Sequence, residues 1–195
     1  MPLLVALKGH PGTGKSALSR AVGRELGWPV IDKDDVKDVL DGRAPDAGGL
    51  AYEVMFSVAR RQLALGLSTI CDSPLVSQWA YDHAQDVASA AGAMLLVVEC
   101  HCGDAGVWQQ RIEQRRELGL PAHHQTSWAG LQEYLQHAEE QARYPITTPV
   151  LIVDTNRPLA TVVAEVGAWL MEQAQRLTSA PTNAVAEVVH RVPQS

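Results

Sequence analysis

Cysteine, lysine and long apolar runs are what this 195-residue chain has little of, and each shortage excludes a class of protein. Three cysteines, an odd number, do not make a disulfide framework and read as free thiols of a reducing compartment. Two of them flank a histidine in Cys100-His101-Cys102, half of a finger-type ligand set. A structural zinc takes four ligands, and no second Cys or His pair stands at finger spacing, so no metal is expected there. Only four lysines are present and the formal net charge is −6, which argues against a nucleic-acid groove as the main surface. No stretch approaches the ~18 apolar residues that cross a bilayer. The brief apolar run at the N-terminus leads straight into a glycine-rich loop and reads as a core strand, not a signal peptide. A single α/β domain in the cytoplasm, with no membrane partner, is therefore expected.

What is present begins with Gly9-His10-Pro11-Gly12-Thr13-Gly14-Lys15-Ser16. The spacing is G-x-x-x-x-G-K-[ST], a phosphate-binding loop. Gly9, Gly12 and Gly14 let the backbone curl until successive N–H groups point inward at phosphate oxygens. Lys15 is expected to reach the β- and γ-phosphates as a surface charge, and Ser16 to ligate Mg²⁺. Residues 3–7 before the loop read as a buried strand. Residues 17–26 after it read as a helix with Leu18, Val22 and Leu26 on one face. Strand, glycine loop and helix in that order support a nucleoside triphosphate site, with the helix dipole aimed at the same anion from Ala17 onward.

The remaining chain alternates short apolar runs with helical patterns. Strands are expected at 29–32, 67–71, 93–100 and 150–153, and helices at 34–40, 51–65, 77–91, 107–118, 127–143 and 158–177. Residues 42–49, rich in Gly, Pro and Asp, read as a loop, and Val54, Val58 and Leu65 as apolar positions of the helix after it. Such alternation implies parallel βαβ units. Residues 1–177 form the expected domain, and 178–195, rich in Ser, Thr, Pro and Ala, a flexible tail with a weak helical tendency around 185–189.

Ligands of open α/β sheets bind beyond the carboxyl ends of the strands. Here those ends carry Asp32 to Asp35, Asp72-Ser73, Cys100 to Asp104 and Asp154 to Arg157 beside the loop. Phosphoryl transfer to an alcohol requires a carboxylate to accept the hydroxyl proton and cations around the phosphate. Asp34 and Lys37 share one face of a helix and can serve one acceptor. Asp72 can hold Mg²⁺ through its water shell. Arg111 and Arg115, one turn apart before a hinge at 119–121, can close on the γ-phosphate. Interleaved Glu113 and Glu117 offer a surface salt-bridged helix as the alternative, and His123 and His124 read as solvated.

On GHPGTGKS and the later DKDDVK, the chain resembles the small phosphate-loop kinases: polynucleotide 5′-hydroxyl kinase domains, chloramphenicol phosphotransferase, gluconate and shikimate kinases and zeta toxins, with an AAA-type ATP-binding domain. The resemblance implies a P-loop NTPase fold, a five-stranded parallel sheet of order 2-3-1-4-5 between helices with a helical lid. It implies that Asp34 is the general base, Lys37 a substrate contact, Asp72 the strand-end metal acid and Arg111 and Arg115 the lid arginines. It also puts the turn at 155–157, and with it Arg157, near adenine. Lys37 stands where arginine is usual, and Ser73-Pro74-Leu75 where Thr-Asn-Leu is usual. In that order, the strand at 3–7 separates Cys71 from Cys100 too widely for a disulfide. The implied activity is ATP- and Mg²⁺-dependent transfer to a small-molecule hydroxyl. A polynucleotide or RNA 5′-hydroxyl kinase and an ATP-binding switch without an acceptor are the alternatives.

Overall fold

Five short runs of Leu, Val and Ile, each ending in a polar residue, pair side by side in one parallel sheet. They are β1 (Leu3–Lys8), β2 (Val30–Asp32), β3 (Thr69–Asp72), β4 (Met94–His101) and β5 (Val150–Asp154), in the order β2-β3-β1-β4-β5. The computed structural model describes residues 1–118 and 126–179. Because side chains alternate along a strand, each central strand feeds two cores. Leu3, Val5 and Leu7 pack with Leu18 and Val22 of α1 (Lys15–Leu26) and with Val162, Val166 and Leu170 of α7 (Leu159–Ser179). Leu4 and Ala6 pack on the opposite face, against α3 (Ala47–Ala64) and α4 (Gln78–Ala90). The remaining helices are α2 (Lys33–Leu40), α5 (Ala105–Glu117) and α6 (Trp128–Ala142).

The expected order of strands and helices is the observed one, and most ends agree within two residues. Helix α3 does not. It starts at Ala47, four residues early, because the Asp46 carboxylate accepts from the Gly49 N–H and caps the first turn. The expected loop at 42–49 is shortened accordingly. Its buried stripe is Ala51, Met55, Phe56, Ala59 and Leu63, whereas Val54, Val58 and Leu65 face outward. Helix α7 runs two residues past its expected end, to Ser179. The hinge at 119–121, His123, His124 and the tail from 180 lie outside the described residues.

β1 lies between β3 and β4, with Ala6 opposite Cys71 on one side and Val97 on the other. Cys71 and Cys100 are thus two strands apart, and all three cysteines are free and buried. Burial pushes the Cys71 and Cys100 thiols up to about 12, which leaves them unreactive. Among the described residues, no group of three or more metal-ligating side chains gathers at Cys100 to Cys102 or elsewhere. No described helix is long and apolar enough to cross a membrane.

Candidate active site

The glycine loop joins β1 to α1 above the carboxyl edge of the sheet. Gly9 sits at φ +142°, and a Cβ there would stand 2.4 Å from the Cys100 carbonyl oxygen, so only glycine fits. The Gly9 N–H donates to the Pro74 carbonyl at 3.0 Å, tying the loop to the end of β3. The His10 carbonyl gathers three donors: Thr13 N–H at 3.3 Å, Thr13 Oγ1 at 2.8 Å and Lys15 Nζ at 2.9 Å. Lys15 is therefore folded back into the loop and only 9% exposed, not the surface charge that its motif suggests. Burial holds its ammonium below the ordinary lysine range, partly offset by the charge of Asp72.

A cavity of about 690 Å³ opens over the loop. Gly12, Gly14, Lys15, Ser16 and Ala17 form its floor, Asp32, Asp34, Asp35 and Asp38 one wall, and Arg111 and Arg115 the other. Thr155, Arg157, Leu159 and Val162 line a further side. Of the residues predicted from sequence, the structure brings Gly12, Gly14, Lys15, Ser16, Ala17, Asp34, Arg111, Arg115 and Arg157 together around this one space. Gly9, His10, Pro11 and Thr13 stay in the loop but outside the lining. Lys37 is absent from the lining as well. The lysine that serves Asp34 is Lys33, which was not anticipated: its Nζ is 2.8 Å from Asp34 Oδ1 and 5.5 Å from the Tyr52 ring centroid.

Asp72 lies just beneath the loop, 3% exposed, with Oδ2 accepting from Ser19 Oγ at 2.8 Å. Its register partner across β2 and β3 is Asp32, a second residue that sequence reading left without a role. Asp32 caps α2 by accepting from the Asp34 N–H at 2.9 Å. Burial, reinforced by the charge of Asp72, pushes its carboxyl up to about 6. The same strand-end signal that marked Asp72 also marked Asp32.

Arg111 is not free in the cavity. Its Nη1 donates to Thr155 Oγ1 at 3.0 Å and its Nη2 to the Thr155 carbonyl at 2.8 Å. The Thr155 hydroxyl lies 2.8 Å from the Thr13 carbonyl and 3.0 Å from that of His101, so one threonine joins Arg111, the loop and the end of β4. Trp108, also on α5, donates from Nε1 to the Pro11 carbonyl at 2.8 Å. Glu113 does take the surface role its spacing allowed, pairing with Arg116 at 2.8 Å, but it also accepts from the Trp128 N–H and so ties α5 to the start of α6. These two contacts hold its carboxyl below the ordinary range. Arg157 pairs with Glu165 of α7 at 2.7 Å.

A phosphate loop above a parallel sheet of order 2-3-1-4-5, with acids on one wall and arginines on the other, defines a P-loop nucleotide-binding protein of the small-kinase type. More particularly, the chain belongs to the AAA domain family, whose model matches residues 4–141. No curated protein matches the sequence. Among solved structures, it is similar to a "putative kinase" of Chloroflexus aurantiacus, with 25% identity and a TM-score of 0.68 over 90% of this chain and 97% of that one. A gluconokinase of Sinorhizobium meliloti is 21% identical, with a TM-score of 0.59 over 91% and 96% of the two chains. An APS kinase of Mycobacterium tuberculosis, solved with AMPPNP and APS, is 18% identical, with a TM-score of 0.61 over 87% and 98%. The last two show the shared fold.

Proposed function

We propose that this protein is an ATP- and Mg²⁺-dependent phosphotransferase that phosphorylates a hydroxyl group of a small molecule. The observation that carries the reading is that Lys15, Asp34, Arg111 and Arg115, from three separate elements, line one cavity. A nucleotide switch needs a carboxylate only for its metal, whereas Asp32, Asp34, Asp35 and Asp38 all line this cavity. An acceptor hydroxyl between the two walls needs a carboxylate too.

Asp34 takes the hydroxyl proton as the acceptor oxygen forms its bond to the γ-phosphorus. The bond from that phosphorus to the β–γ bridging oxygen breaks, and ADP leaves with its electron pair. The loop amides and Lys15 hold the phosphates, and Lys33 orients the Asp34 carboxylate. Arg111 and Arg115 oppose the negative charge that spreads over the transferring group. Bound Mg²⁺ would supply further neutralisation of the phosphate oxygens. The donor set fits it: Ser16 and Asp32 line the cavity, and Asp72, the register partner of Asp32 across β2 and β3, lies beneath them as a second carboxylate. Arg157, with Leu159 and Val162, is suited to the base end of the nucleotide.

The test is ADP release by purified protein against a panel of alcohols, with and without Mg²⁺. Acceptor-dependent release, with the phosphorylated product identified by mass, is expected. Labelling of an oligonucleotide bearing a free 5′-hydroxyl at low salt, with no small alcohol accepted, would replace this reading by the polynucleotide one. Slow hydrolysis that no acceptor accelerates would replace it by the switch.

A further inference from the structure

Helix α3 carries two apolar stripes, and the core of this domain uses only one of them. Ala51, Met55, Ala59 and Leu63 are buried beneath the helix. Leu50, Val54 and Val58 recur at four-residue spacing on its outer side, 38, 42 and 40% exposed. Exposed apolar residues scattered singly are ordinary on any protein surface. These three are not scattered, because positions four apart on a helix lie side by side. Glu53, Ser57 and Arg61 are exposed on the same outer face, interleaved with the stripe. Neither Glu53 nor Arg61 makes an ion pair among the described residues. They cannot reach each other within one chain, since eight residues of helix put them about 12 Å apart. Trp79 of α4, 51% exposed and edge-on to Tyr52 of α3, extends the apolar surface past that helix.

Glu53 and Arg61 stand four residues to either side of Ser57. A second α3 laid antiparallel across the first, with a two-fold axis at Ser57, therefore sets Glu53 against the partner's Arg61. The same axis sets Arg61 against the partner's Glu53, and self-complementarity of this kind is what a two-fold interface requires. We infer that this chain forms a two-fold dimer through the outer face of α3, with Ser57 on the axis. In that register Val54 and Val58 close around the two serines, and Leu50 meets the partner's Ala64. Small side chains at the crossing let two helices approach to the usual 8–10 Å.

The charge pattern selects this occupant. A parallel pairing would put Glu53 against Glu53 and Arg61 against Arg61, and like charges across an interface repel. A membrane-surface helix lines its polar flanks with lysine and arginine. This stripe has an acid toward one end and arginine toward the other, which suits an inverted copy of itself. An 18-residue helix is about 27 Å long, so the contact falls at the small end of specific interfaces and a micromolar Kd is expected. The dimer is independent of the reaction proposed above.

Sedimentation equilibrium of the full chain from about 1 to 200 µM reads the outcome. Wild type should pass from 21.1 kDa to twice that mass. Glu53→Arg and Arg61→Glu should each weaken the dimer roughly tenfold or more, because each sets like charges together at two places. Both side chains are exposed, so melting temperatures should stay at the parent value. An equimolar mixture of the two variants restores both ion pairs and should dimerise like wild type, as should the double variant E53R/R61E. Val54→Ser removes apolar contact without touching charge and should weaken the dimer by a separate route. A wild-type monomer across the whole range overturns the inference. A dimer that neither charge variant weakens belongs to another face and overturns it equally. Loss in both single variants with no rescue on mixing means another register, and the two-fold pairing at Ser57 falls.

Discussion

At the scale of the residue, Lys15 and Asp34 have separable duties. Lys15 rests on the His10 carbonyl, an oxygen that two Thr13 groups also bond, so losing the lysine leaves no acceptor stranded. Lys15→Ala should lower nucleotide affinity and abolish transfer while the ligand-free protein melts within a few degrees of the parent, since the lysine stem is small beside the two cores. Unfolding of that variant without nucleotide would assign Lys15 a structural part. Asp34→Asn keeps the shape of the side chain and removes its basicity. It should cost ~10²-fold or more in turnover with nucleotide Kd kept, by analogy with the usual worth of a positioned general base. Single-turnover kinetics reads the first and isothermal calorimetry the second. Legibility divides here as well. The places of Lys15 and Ser16 on the cavity were readable because motif spacing reports on backbone that must curl around phosphate, and that of Asp34 because the carboxyl ends of the strands meet at one edge of the sheet. Lys33 was not, since adjacent residues of an extended or helical segment diverge, and only the tertiary position of Tyr52 explains why Lys33 folds back over the acid.

Among the elements, α5 does most to couple the loop to its surroundings. Trp108 bonds Pro11, Arg111 is clamped on Thr155, and a Cβ at Gly12 would stand 2.7 Å from Ile112 Cδ1. Gly12 also holds φ +77°. Gly12→Ala should therefore strain the loop and push α5 away at once, with a loss of about 1–3 kcal/mol in stability and weaker nucleotide binding. A melting curve and a titration check both. If Arg115 closes on the transferring phosphate, its contact tightens as charge develops. Arg115→Ala should then lower turnover more than it weakens ATP binding. Hydrogen exchange across α5 should slow more with a non-hydrolysable ATP analogue than with ADP. Equal protection by the two nucleotides would return Arg115 to a surface part. Helix α3 shows why its phase was not legible. Val54 and Val58 are four apart, and so are Met55, Ala59 and Leu63 in turn, so two apolar stripes compete. Packing against β3 and α4 selects the stripe with Met55 and Phe56, and periodicity alone cannot rank them.

For the whole molecule, the sheet order was readable only through resemblance to other phosphate-loop proteins. Strand periodicity gives faces and lengths but not neighbours. That order is what makes Asp32 and Asp72 partners, and on the proposed Mg²⁺ role the pair would link ion binding to global stability. The Asp32 carboxyl is raised from its ordinary 3.8 to about 6, so between those values the folded chain holds a proton that the unfolded chain has released. Stability from this group is therefore present at low pH and lost as pH rises through about 6, the reverse of the usual carboxylate. Asp32 is only partly buried, and solvent screening reduces the effect to a fraction of the full linkage. A cation held between the two carboxylates would offset both the burial of the Asp32 charge and its repulsion by Asp72, lower the Asp32 pKa and release that proton. Calorimetry of Mg²⁺ with an ATP analogue at pH 6, in buffers of different ionisation enthalpy, should then reveal proton release beyond that of the nucleotide alone. The release should fade by pH 8, where Asp32 is already ionised. Asp32→Asn should abolish the excess and flatten the fall in melting temperature between pH 5 and 7. A buffer-independent heat at pH 6, or a wild-type melting temperature that rises across that interval by the same amount in both proteins, would mean that Asp32 carries no extra proton and that the pair is no cation site.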